Sequence, residues 1–168
     1  MSKLILYDAI SAQIKAEVAA IKAVQLWNNQ VDNEKEEEAR IHPSAYIEFS
    51  SIVWDELTKG SSEGQIVVTI KTVIERLQTD DRTFLTIVDD VYKALQLFQG
   101  VQFTPLKRIA ERQDTDHDNV IVWESDFSTL LVDCTADTDQ DKPTVTATLD
   151  LDVELDIDND VIRTGDGE

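Results

Sequence analysis

From Thr144 to Asp158 the sequence TVTATLDLDVELDID alternates without a break. Val145, Ala147, Leu149, Leu151, Val153, Leu155 and Ile157 hold the odd positions. Thr144, Thr146, Thr148, Asp150, Asp152, Glu154, Asp156 and Asp158 hold the even ones. Successive side chains of a strand point to opposite faces, so this spacing predicts a β-strand with one apolar and one mostly acidic face. Fifteen extended residues would reach roughly 50 Å, whereas a compact domain of this size is about 30–40 Å across. Such a strand must bend, break in two or leave its own subunit. Its five carboxylates repel one another, so solvent or a basic partner is expected opposite them. The domain is expected to span residues 1–160, with 161–168, rich in turn-forming glycine, as a flexible tail.

Helical periodicity occurs twice. Leu6, Ile10, Ile14, Val18 and Ile21 share one face of a helix predicted over Leu4 to Ile21, and several alanines favour the same conformation. Phe84, Ile87, Val88, Val91, Leu95 and Phe98 form the stripe of a second, from Thr83 to Phe98. Asp80, Asp81 or Thr83 is placed to cap its start and Gly100 to end it. Val24 to Trp27 is placed to begin a strand, and Asn28 to Arg40 reads as a long solvated loop, with a short exposed helix as the alternative. SAYIEFSSIVWDEL predicts a strand after Pro43, although its apolar residues fall on both faces. The Gly/Ser-rich stretch from Lys59 to Gly64 then leads into QIVVTIKTVIERL, with Ile66, Val68, Ile70 and Ile74 on one face, and the pair reads as an antiparallel hairpin. Phe103 to Arg112 is extended, and VIVWESDFSTLLVD from Val120 to Asp133 makes a further strand. Two helices cannot cover both faces of such a sheet. The expected class is α+β: a mainly antiparallel sheet, two principal helices packed on one face, and the long acidic C-terminal strand.

With 168 residues, 42% hydrophobic and 29% charged, the chain is a globular mixture of about one domain. It has no apolar run of the ~20 residues that cross a bilayer, and MSKLILYDAISAQ has no secretory-signal pattern. The net charge of −19 argues against tight wrapping of nucleic acid. It is unevenly spread: residues 1–132 carry a net of −9, and the short stretch 133–168 carries −10.

Reaction chemistry is hard to find. His42 precedes Pro43 at a strand start, and His117 sits between Asp116 and Asp118, where protonation is eased. Cys134, the one cysteine, excludes an internal disulfide and has no basic neighbour in sequence to activate it. Two D-x-D-x-D runs begin at Asp114 and Asp137, but a calcium loop needs glycine at its sixth place and glutamate at its twelfth. Those places hold Asn119 and Ser125 in one run, Lys142 and Thr148 in the other. Acidic turns account for both better than a metal site. Trp27, Trp54 and Trp123 read as core or interface anchors. No enzyme activity and no cofactor are expected.

The helix ending near Ile21, the strand IHPSAYIEFSSIVWDEL, the return GSSEGQIVVTIKTVIERL and the helix DRTFLTIVDDVYKALQLF follow in an order that resembles the tail terminator, or tail completion, proteins of tailed bacteriophages. The resemblance covers roughly residues 1–133. It implies a non-enzymatic virion protein of the tail and neck, made in the host bacterial cytoplasm, that forms a homo-oligomeric ring, typically a hexamer. Such a ring caps the tail tube protein and meets the head-side connector or stopper, and phage DNA passes through the lumen without specific binding; no membrane is involved. A negative lumen suits that passage, since like charges suppress binding. The acidic C-terminal strand departs from the family pattern. Asp150, Asp152, Glu154, Asp156 and Asp158 are its candidate interface or lumen-facing residues. The alternatives are another head–tail junction adaptor, or an acidic DNA-mimic inhibitor whose charge should cover much more of the surface.

Overall fold

A computed structural model of the protein describes residues 2–28, 42–58, 60–75, 80–115 and 120–136. Eight elements run in the order α1 (Ser2–Glu17), β1 (Ala23–Leu26), β2 (Ser44–Phe49), β3 (Val53–Thr58), β4 (Ser61–Glu75), α2 (Asp81–Leu95), β5 (Lys107–Asp114) and β6 (Val120–Asp133). The strands form one sheet in the order β1-β2-β4-β6-β5, with β3 pairing β4 beside the path. Only β1–β2 is parallel; the other pairings are antiparallel. This is the α+β architecture that the periodicity predicts.

The long partners β4 and β6 form the spine, paired from Ser62↔Asp133 to Glu75↔Val120. On one face of the sheet Ala45, Ile47, Ile66, Val68, Ile70, Ile74, Phe127 and Leu131 are buried. Leu6, Ile10 and Ile14 of α1 and Phe84, Ile87, Val88, Val91 and Leu95 of α2 join them in one core, so both helices lie on that face. The opposite face is not covered by any described helix.

Three local expectations need correction. Helix α1 stops at Glu17 rather than Ile21. Val18 and Ile21 are still buried, but in the turn that leads to β1, which satisfies the same apolar positions without helix. The single strand expected over SAYIEFSSIVWDEL is two strands, β2 and β3. The break lies at Ser50–Ile52 and resets the alternation: Ile47 and Phe49 pack on the core before it, Ile52 and Trp54 after it. Helix α2 starts as expected, with the Asp80 carboxylate accepting from the N–H groups of Arg82 and Thr83 at 3.0 Å each. It ends earlier, at a Gln96 cap, and Leu97 rather than a glycine takes the left-handed conformation (φ 63°). Gly100 instead lies against Phe103 in the following turn.

The strand expected over 144–158 lies outside the described residues, as do the 29–41 segment and His117.

Candidate interaction surfaces

The uncovered face of the sheet carries the odd residues of β4 and the even residues of β2 and β6. At one end Tyr46, Val73 and Val122 are buried under Trp27, whose ring meets Tyr46 edge-on at 5.6 Å. Towards the middle, registration brings charges together, because Tyr46 stands opposite Lys71, Lys71 opposite Glu124, and Glu124 opposite Arg112. Lys71 Nζ lies 2.7 Å from Glu124 and 3.1 Å from Glu48, and 4.3 Å from the centre of the Trp27 ring. Arg112 bridges Glu124 and Asp126, with Asp126 at 2.8 Å. Thr69 donates its hydroxyl to Asp126 at 2.6 Å.

Glu124 is only 5% exposed, which a carboxylate tolerates when cations hold it on both sides. Burial lowers the Lys71 pKa, but hydrogen bonds to Glu124 and Glu48 outweigh it and hold the ammonium above its ordinary value. The Asp126 carboxylate, helped by Glu124, raises Arg112 likewise. Opposite charges thus pair across three adjacent strands, an arrangement that fixes the strands in register.

At the far end of β6, Asp133 receives the Thr135 hydroxyl, the Thr135 N–H at 2.8 Å and the Ser2 hydroxyl at 2.9 Å. The Thr135 bonds, then that of Ser2, lower its pKa to about 2. Beside it a groove of about 520 Å³ is lined by Ser2, Lys3, Leu4, Trp54, Ser62 and Asp133. A second of about 510 Å³ shares Lys3 and runs past Leu26, Trp27, Glu48 and Phe49. Both are open and combine a tryptophan with polar side chains: Ser2, Lys3, Ser62 and Asp133 in the first, Lys3, Asn28, Glu48 and Ser50 in the second.

Large apolar side chains are exposed at two margins on opposite edges of the sheet. One surrounds β3 and the start of α1, with Val53, Leu57 and Leu4; the other surrounds β5, with Leu97, Val101 and Ile109.

The residues singled out in the sequence are dispersed. His42 Nδ1 lies 3.2 Å from the Ser44 hydroxyl, and Cys134 is half-buried just past β6. Trp27 lies on the uncovered face, Trp54 on β3 beside the groove, and Trp123 on the helix side, edge-on to Phe84 at 6.2 Å. Among the described residues no group of three His, Cys, Asp or Glu is placed to hold a metal ion, and no helix is long and apolar enough to cross a membrane. Asp150, Asp152, Glu154, Asp156 and Asp158 lie outside the described residues, as does the D-x-D-x-D run from Asp137. The Lys71–Glu124–Arg112 network was missed in the sequence, since it depends on three strands being aligned; the one available signal was lysine amid an apolar strand.

No protein-family model matches the chain, and no curated protein matches it. Among solved structures, a chain of the virion of a native gene transfer agent particle aligns with a TM-score of 0.52 at 14% identity, covering 76% of this chain and 95% of that chain. What the two share is the fold. Nearly all of the virion chain is matched, whereas about a quarter of this chain falls outside the match.

Proposed function

We propose that the chain is a structural virion protein of a phage-like particle, and within that class a tail terminator. Copies of it form a ring that caps the tail tube and joins it to the head-side connector, with DNA passing through the lumen. The observation that carries this reading is the fold held in common with 95% of a gene transfer agent virion chain. The order of elements that resembles the terminators supports the narrower role.

The surface supports self-assembly in two ways. The exposed apolar margins at β3 and β5 are unlike one another and lie on opposite edges. Contact between unlike patches is head-to-tail, which closes into a ring when the rotation allows. The net charge of −19 keeps DNA from adhering to such a ring.

Light scattering and negative-stain microscopy of the purified protein, alone and with tail tubes, test the proposal. Rings, or a mass that multiplies on tube ends, are expected. A monomer at every concentration, unaffected by tubes, would overturn it.

A further inference from the structure

We infer that the sheet runs on from one copy of the chain to the next, the open edge of β3 pairing antiparallel with the open edge of β5 in its neighbour. The inference rests on the ring reading above and deepens it, by naming the two surfaces that meet and the bonds that join them.

Neither edge has a partner inside the subunit. Strand β3 pairs β4 and strand β5 pairs β6, each along one side, and among the described residues no strand lies beyond either. With β4 and β6 between them, the two edges of one copy cannot reach each other. Open edges of this kind take up a further strand through main-chain hydrogen bonds. Bulges at Glu56/Thr58 and Arg108/Ala110 confine regular pairing to 53–56 on one edge and 110–114 on the other, stretches of similar length. The Gln96 side chain already accepts the Arg108 N–H at 3.1 Å, just outside that stretch. Through β4 and β6, β5 runs opposite to β3. A rotation that keeps the sheet continuous preserves that sense and leaves the helices of both copies on one side.

Charge selects the pairing. Subunits of net charge −19 repel one another, so a contact between copies needs a local basic strip. Lys107 stands opposite Ser128 and Arg112 opposite Glu124, which puts two cations on the uncovered side of β5. Arg112 is 56% exposed although it bridges two carboxylates, and Lys107 is exposed with no ion pair among the described residues. On β3 the need is the reverse. Asp55 stands directly opposite Glu63 on the same uncovered side, and neither has an ion pair among the described residues. Like charges in that position weaken the strand pair. Continuing the sheet lays Lys107 and Arg112 of one copy beside Asp55 of the next, where they offset its repulsion by Glu63. The same contact covers Val53, 80% exposed on that side. On the helix side Glu56 approaches Arg108 and Glu111, which neutralise each other at 2.8 Å.

The edges are offset along the strands. Strand β3 lies beside residues 61–65 of β4, and β5 lies beside the part of β6 that faces 67–73. A closed ring takes up such an offset by inclining its strands to the ring axis, as barrels do.

Hydrogen exchange read by mass spectrometry on the full-length protein, concentrated into rings and diluted to subunits, reads the main-chain bonds. Exchange across 53–56 and 110–114 is expected to slow on assembly, while the β4–β6 spine stays protected in both states. Charge reversal followed by light scattering reads the side chains. Asp55→Lys and Lys107→Glu should each abolish rings and keep the melting transition, since both positions are exposed and Asp55→Lys also removes the repulsion with Glu63. An equimolar mixture of the two variants should restore rings, because every contact between unlike chains regains an opposite pair. Rings that persist in either single variant, or a mixture that stays monomeric, overturn the proposal. Wild-type rings in which 53–56 and 110–114 exchange as fast as in diluted subunits would sink the pairing and leave the ring reading standing; wild-type monomers at every concentration would remove both.

Discussion

Lys71 shows how one side chain on an uncovered sheet face can matter as much as a core residue. Its ammonium lies over the Trp27 ring and holds the nearly buried Glu124. Removing one member of a buried pair leaves the other charge uncompensated, at a cost of roughly 3–5 kcal/mol. Arg112 still holds Glu124, so Lys71→Ala should cost about 3 kcal/mol, at the lower end of that range, in urea unfolding. Asp133 gives a pH signature. Its pKa is lowered from 3.8 to about 2, so its stabilising bonds act fully above the higher value and are lost as pH falls through the lower one. Most of that free energy is screened by solvent, leaving about 1 kcal/mol. Asp133→Asn should therefore lower stability by about 1 kcal/mol at neutral pH and flatten the acid limb over that window, so that variant and wild type converge in strong acid. The Thr135 bonds are local, two residues on from Asp133, but no pattern in the sequence marks the bond from Ser2, which forms only when α1 docks against the end of β6.

Elements with one-sided burial were the most legible. Strand β6 has the bounds that its apolar pattern predicts, and α2 carries its expected buried stripe and Asp80 cap. Asp80→Ala should lower the melting temperature through the loss of that cap, with Asp80→Asn close to wild type. Less legible was the division of β2 from β3. A run with apolar residues on both faces reads as one ambiguous strand, and only β4, long enough to pair both pieces, shows where the phase changes. The hairpin there is tight: a Cβ on Gly64 would lie 2.6 Å from Ile52 Cγ2 and 2.8 Å from the Val53 carbonyl oxygen. Gly64→Ala should destabilise by about 1–3 kcal/mol, measured by denaturant midpoint, because backbone has to move. The end of α2 was misread for a related reason, since Leu97 adopts a conformation for which glycine is the usual sign.

The core is carried by the β4–β6 spine and two helices, and Phe127, fully buried at its centre, should cost about 3–5 kcal/mol when cut to alanine. Replacing Val53 and Leu57 by aspartate should leave melting unchanged and abolish rings in light scattering, since both side chains are exposed at the β3 margin. Charge reversal at Asp152 and Glu154 should also spare the melting transition and impair assembly or virion yield. The pairing of β4 with β6 over fourteen positions has a mechanical consequence. Tension along the strands loads the whole ladder in shear, so its bonds must yield together, whereas a pull across them unzips one rung at a time. A subunit built on this spine is stiff in one direction and soft in the other, and its orientation in an assembly decides which of the two the load finds.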